Sequence, residues 1–127
     1  MSIKSLTAYL AVRDAATAID FYKAAFGAGE PGERYLEPDG HIGHAELRLG
    51  AIPLFISDEA PDLDVLGPES RGGATSSIVL GVSDPDAVFA RAVAAGATID
   101  RPVTDSPHGR MGWLKDPFGH RWCISRE

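Results

Sequence analysis

Apolar and polar residues alternate from Leu6 to Val12: Ala8, Leu10 and Val12 point one way, Thr7, Tyr9 and Ala11 the other. This predicts a strand with one apolar face. Asp14 then caps a helix running to about Ala25, in which Ala18, Ile19, Tyr22 and Phe26 recur at helical spacing and Gly27 is the expected stop. Strands are expected over residues 33–37 and 43–49, separated by the turn Pro38-Asp39-Gly40. Ile52 to Ser57 is a fourth strand after a turn at Gly50. Residues 58–74 carry Pro and Gly turn signals and several acids without periodicity, and read as a linker free to fold over a neighbouring surface.

The pattern then returns. Thr75 to Val82 alternates with Ser76, Ile78, Leu80 and Val82 on one face, Asp84-Pro85 opens a helix, and Gly96 closes it. Short strands follow at 98–103, 111–115 and 121–126, the last fed by the turn Asp116-Pro117-Phe118-Gly119. Val12-Arg13-Asp14 matches Val82-Ser83-Asp84, Phe26-Gly27-Ala28 matches Ala95-Gly96-Ala97, and Phe55-Ile56-Ser57 matches Cys123-Ile124-Ser125, at separations of 70, 69 and 68 residues. The chain is therefore expected to be α+β, with two repeated β-α-β-β-β modules, 5–57 and 75–127, in one domain.

Composition narrows the setting. A chain of 127 residues can bury one core without staples. The lone Cys123 excludes an internal disulfide and points to a reducing compartment. The start Met1-Ser2-Ile3-Lys4 lacks a long apolar core, and no apolar run approaches the roughly 20 residues of a membrane span. A soluble cytoplasmic protein without membrane contact is expected. With a net charge of −6 and scattered Lys and Arg, nucleic acid is not an expected partner. A phosphate-binding glycine loop, a nucleophile elbow and a paired-cysteine zinc motif are all missing.

If each helix covers the apolar face of its module, the other faces line a shared concavity. The strands contribute Thr7, Tyr9 and Ala11; His44, Glu46 and Arg48; Pro53, Phe55 and Ser57; Thr75, Ser77 and Val79; and Arg121, Cys123 and Ser125. A few polar groups among aromatic and small residues suit a small-molecule cleft, although the wet side of an ordinary sheet has the same pattern. Arg110, in His108-Gly109-Arg110, is placed either to pair an acidic ligand through its planar fork or as a plain surface arginine. Trp113 can stack a ligand, its face undecided by the alternation. Cys123 is a cleft candidate whose alternative is inert packing. His44 and Glu46 share a face, and a metal built on them would need a third donor such as Cys123.

The order strand, helix, strand, strand, strand, taken twice, resembles the vicinal oxygen chelate superfamily of glyoxalases, bleomycin-resistance proteins and ring-cleaving dioxygenases. Ala18-Ile19-Asp20-Phe21-Tyr22-Lys23-Ala24-Ala25-Phe26-Gly27, Gly40-His41-Ile42-Gly43-His44-Ala45-Glu46-Leu47 and Asp116-Pro117-Phe118-Gly119-His120-Arg121-Trp122 are similar to its PhnB-like branch. The resemblance implies a curved, partly closed sheet around a cleft with helices outside, and a homodimer. It also implies a divalent metal held by one His, Glu or Gln from each of four equivalent strands. Those positions fall here on Thr7, at or beside Phe55, on Ser77 and on Cys123, and none is His, Glu or Asp. A catalytic metal needs about three protein ligands, so no metal or other cofactor is expected.

The function the resemblance implies is metal-independent binding of a small organic ligand, in the manner of the antibiotic-binding members. The alternative is a lyase or isomerase acting on a small carbonyl compound, through a relocated metal or the His44-Glu46 pair as acid and base. The expected ligand-binding set is Thr7, Tyr9, His44, Glu46, Phe55, Ser77, Arg110, Trp113 and Cys123, with no catalytic residue assigned. Closure of the cleft by residues 58–74 or by a partner chain stays open.

Overall fold

Caps set the two long helices. In the computed structural model, which describes residues 1–127, the Asp14 carboxylate accepts from the Thr17 backbone N–H at 3.2 Å and Asp84 does the same for Ala87 at 3.2 Å. Gly27, at φ 67°, ends the first helix in the left-handed conformation that favours glycine. The order is β1 (Tyr9–Val12), α1 (Ala15–Phe26), β2 (Tyr35–Leu36), β3 (Ile42–Leu49), β4 (Ile52–Asp58), α2 (Pro68–Arg71), β5 (Ser77–Val82), α3 (Pro85–Ala94), β6 (Thr98–Ser106), β7 (Gly109–Lys115) and β8 (Arg121–Arg126). The chain is α+β, built from two repeats of the expected module.

Each repeat makes its own four-stranded mixed sheet, ordered β1-β4-β3-β2 and β5-β8-β7-β6, and neither sheet closes. In both, the strand before the helix runs parallel to the last strand of the module, with Tyr9 opposite Phe55 and Val79 opposite Cys123. Leu10, Val12, Ala45, Leu47, Leu54 and Ile56 of the first sheet and Leu114, Trp122 and Ile124 of the second are buried on the helix-facing sides. These residues join α1 and α3 in one core cluster. Trp122 packs on Phe26 at 4.9 Å and on Tyr22 at 5.6 Å between ring centroids, so the core crosses from one module to the other.

Several boundaries differ from expectation: the strands expected over 33–37 and from Thr75 are the shorter Tyr35–Leu36 and Ser77–Val82. The first strand starts at Tyr9 rather than Leu6, because its only neighbour is β4, whose ladder with it begins at Tyr9. Leu6 is exposed and Thr7 precedes the strand. The hairpin of β6 and β7 runs further than predicted, to Ser106 and from Gly109, with register shifts around Pro102 that accommodate its missing N–H. Residues 58–74 are more than a linker: they hold a 3-10 turn at Pro61–Leu63, an Ala60–Val65 bridge and α2.

Asp116 ties the two modules together. Its carboxylate is 4% exposed and accepts four hydrogen bonds: Tyr22 Oη and Trp122 Nε1 (3.0 Å) on Oδ2, and the backbone N–H groups of Phe118 (2.9 Å) and His120 (3.0 Å) on Oδ1. A buried charge survives only when so satisfied. Burial and the neighbouring carboxylate push the Tyr22 phenol well above its ordinary range. Asp116→Ala strands four donors and is expected to lower unfolding free energy by about 3–5 kcal/mol in denaturant titrations. A loss below about 1 kcal/mol would show that the carboxylate is dispensable.

The phenol also sets a pH dependence. A folded pKa raised above the unfolded value gives stability that is complete below about pH 10 and is lost as pH rises through the folded pKa. Wild type should therefore weaken more steeply than Tyr22→Phe above about pH 10 in thermal melts. Parallel profiles for the two proteins would contradict this.

Candidate functional site

The open face of the first sheet carries an aromatic cluster placed by strand register. Tyr9 lies opposite Phe55, and Phe55 opposite Glu46, so their side chains share the face turned away from α1. Tyr9, His44 and Phe55 meet edge-on, with centroid separations of 5.3 Å (Tyr9–His44), 5.6 Å (Tyr9–Phe55) and 5.0 Å (His44–Phe55). The Tyr9 hydroxyl is hydrogen-bonded to His44 Nδ1 at 2.7 Å, and desolvation raises the phenol pKa, keeping it a neutral donor and acceptor. Tyr9 nevertheless stays 53% exposed. Glu46 lies further along and is held by Arg48 at 2.7 Å.

Beside this cluster a groove of about 940 Å³ opens between the sheet and the segment that follows β4. Tyr9, Ala11 and Ser57 form its sheet side, Leu63 and Val65 its cover, and Arg13 and His41 lie on its wall. The cover is anchored at both ends. Glu59 N–H donates to the Val12 carbonyl at 3.1 Å, and the Glu59 carboxylate accepts the Gly67 N–H at 2.7 Å. Hydrogen bonds from the Ser70 hydroxyl and that N–H hold the Glu59 pKa below the ordinary carboxylate value. A Cβ on Gly67 would stand 2.9 Å from the Ala11 carbonyl oxygen, so only glycine lets the segment approach β1 this closely. Across the groove Asp39 pairs with His41 at 2.8 Å, raising the imidazole pKa.

The second sheet has its own open face. Trp113 lies opposite Arg101 on β6 and Cys123 on β8. The guanidinium carbons of Arg101 and Arg121 stand 4.9 and 5.1 Å from its ring centroid. Arg121 also reaches Asp100 at 2.9 Å and the Ser77 hydroxyl at 3.4 Å. Cys123 is 2% exposed, and burial pushes its thiol pKa up, against the milder pull of Arg101. That chemistry makes it a packing residue rather than an activated nucleophile.

The expected site residues thus separate. Tyr9, His44, Glu46 and Phe55 share the first open face, while Ser77, Trp113 and Cys123 share the second. No strand pairing joins the two sheets. Thr7 lies just ahead of the first group. Arg110 is on the other side altogether: it shares a face of β7 with buried Gly112 and Leu114, and its guanidinium is taken by Asp86 of α3 (2.7 Å) and by Asp105 (3.2 Å). The strand begins two residues earlier than expected, so Arg110 belongs to the helix-facing alternation and not to a loop at a cleft mouth. Arg13, His41, Leu63 and Val65 escaped the expected set because their segments lack periodicity. The run of acids and prolines after β4 was the one available signal.

The positions that would carry the family's metal do not fit one. Thr7, Phe55, Ser77 and Cys123 offer two hydroxyls, a phenyl ring and one buried thiol, divided between two sheets, and no three His, Cys, Asp or Glu side chains converge anywhere in the chain.

The fold and the open-faced sheets define a class. Residues 3–124 match the model of the Glyoxalase/Bleomycin resistance protein/Dioxygenase superfamily, and the chain belongs to that superfamily. An uncharacterized protein of Mycobacterium tuberculosis is 42% identical over 126 residues, covering 96% of this chain and 74% of its own length. Among solved structures, TnmS3, an antibiotic binding protein from Streptomyces sp. CB03234, superposes with a TM-score of 0.75 at 21% identity over 99% of this chain and 98% of that one. The bleomycin-binding protein of Streptomyces verticillus, solved with copper(II)-bleomycin, does so at 0.67 and 20% over 100% and 98%. These two likenesses show a shared fold.

Glu59→Ala removes the anchor of the groove cover and not the core. Cleavage by a nonspecific protease within residues 60–72 is expected to accelerate about tenfold, with the global denaturation midpoint nearly unchanged. Unchanged cleavage would mean that the cover is held by other contacts.

Proposed function

We propose that the protein is a metal-independent small-molecule-binding protein that sequesters a small organic compound, an antibiotic or a metabolite, without turning it over. The observation that carries this reading is the Tyr9–His44–Phe55 cluster, with Tyr9 exposed and the other two half-buried, beside the groove of about 940 Å³. Aromatic surface with a few polar handles is what a small organic ligand needs. The donor set at the four family positions supports metal independence. The antibiotic-binding proteins of the same fold support the ligand class.

The lyase or isomerase alternative rests on His44 and Glu46, but each is committed elsewhere, His44 to the Tyr9 hydroxyl and Glu46 to Arg48. Those engagements support binding over proton transfer as the role of the pair. We further place the chain in the PhnB-like branch, on the three motifs quoted above, and in the reducing cytoplasm, where Cys123 stays a free thiol. A homodimer completes the picture: β1 and β5 are open sheet edges, and Ile3, Leu6 and Val79 are exposed apolar side chains that a second copy would cover.

The reading is tested by metal content of protein purified without added metal or chelator, then by calorimetry with zinc, nickel, manganese and iron(II). No stoichiometric uptake is expected; tight uptake lost in His44→Ala or Glu46→Ala would put the enzymatic reading first. Thermal-shift screening should then find organic ligands whose stabilisation disappears in Tyr9→Ala and Phe55→Ala. In Tyr9→Phe, ligands that bond the hydroxyl should bind about tenfold more weakly. Hits indifferent to all three substitutions would refute the proposed site.

A further inference from the structure

A second cavity, of about 430 Å³, is framed by the end of the groove cover, the loop that leads into β5, and His120 of the turn before β8. Its lining is unlike that of the groove. Glu37, Asp39, Asp58, Glu59 and Asp62 all line the groove, whereas no Asp or Glu lines this cavity, in a chain whose net charge is −6. Its one permanent charge is the guanidinium of Arg71.

The wall is rich in donors that no protein group takes. Arg71 gives only Nη2 to Asp64, at 2.6 Å to the carboxylate and 3.1 Å to the carbonyl, and its Nε and Nη1 stay free. Gly72 and Gly73 then turn the chain at φ 89° and 144°, and the N–H groups of Ala74, Thr75 and Ser76 that follow meet no protein acceptor. Of the hydroxyls of Thr75, Ser76 and Ser77, only that of Ser77 is engaged, by Arg121 at 3.4 Å. His120 is held in place by its Nε2 bond to the Ala11 carbonyl at 3.0 Å and adds no negative charge. Successive backbone N–H groups beside a guanidinium attract an anion. Three N–H groups, two hydroxyls and a guanidinium are more than the two oxygens of a carboxylate can use, and they suit a tetrahedral oxyanion.

We propose that this cavity binds a phosphate group, free or as the head of a small monoester, between Arg71 and the N–H and hydroxyl groups of residues 74–76. Its volume falls within the range of small-ligand sites, about 300–1,000 Å³, so a short organic body can accompany the phosphate. Neither open sheet face takes part, and the site stands or falls independently of the groove and its ligand. Binding exchanges water on these donors for charge-assisted hydrogen bonds, each about twice as strong as a neutral one.

The test titrates inorganic phosphate and glycerol 3-phosphate separately into the full chain labelled with nitrogen-15, with ionic strength held constant by chloride. Saturable amide shifts are expected at Gly73 to Ser76. Arg71→Gln should weaken binding about tenfold, and Thr75→Val combined with Ser76→Ala about fivefold. All three positions are exposed, so amide signals away from the cavity should keep their wild-type shifts. Tighter binding of the ester marks a phosphorylated metabolite as the source of the group, and tighter binding of inorganic phosphate marks the free ion. Absence of saturation by about 10 mM of either probe overturns the proposal. So do shifts scattered over other Lys and Arg residues, or an affinity unchanged in both variants.

Discussion

A single buried carboxylate holds the two modules in their mutual position. Asp116 sits in the turn before β8, yet one of its four donors, Tyr22, belongs to the helix of the other module. Ionic hydrogen bonds in the interior are directional and costly to leave unmade, whereas the surrounding Phe26, Tyr22 and Trp122 contacts are broad and tolerant of small shifts. The aromatic contacts supply apolar packing across the junction, and the carboxylate selects one arrangement among those that packing would permit. Two peripheral bonds reinforce the choice: Arg13 donates to the Pro117 carbonyl at 2.9 Å, and His120 Nε2 is bonded to the Ala11 carbonyl at 3.0 Å.

That arrangement turns the helix-facing sides of both sheets inward and leaves both other sides bare. The repeat is close in backbone and unlike in chemistry. Equivalent ladders place Tyr9 beside Phe55 in one module and Val79 beside Cys123 in the other. Around these the first face adds an imidazole and the second two guanidiniums and an indole. A shared scaffold thus presents two surfaces of different chemistry, and fold alone assigns a role to neither.

Period-two alternation and paired caps made the elements and the repeat readable from the sequence, because the inner strands β3, β4, β7 and β8 bury one side and the long helices end at Gly27 or near Gly96. The Tyr9, His44 and Phe55 grouping followed from the same parity. Parity failed where a strand boundary was misplaced: once β7 begins at Gly109, Arg110 falls on the helix side and finds Asp86. It was silent on the groove cover, whose shape comes from side-chain anchors and from turns. Asp116 illustrates the limit well. Its turn was evident, but its partner Tyr22, 94 positions away, read only as a helix-face aromatic.

The anchoring of residues 58–67 separates the attachment of the segment from the shape of its tip. Glu59 and Gly67 fix where the segment leaves and rejoins the body, while Pro61 to Leu63 between them are exposed. Insertions or exchanges at that tip can alter the size and polarity of the groove at little cost to folding, since lengthening a closed surface loop is entropically cheap. The scaffold can therefore change its guest by rewriting a handful of loop residues, leaving the repeat, the aromatic core and the Asp116 junction untouched.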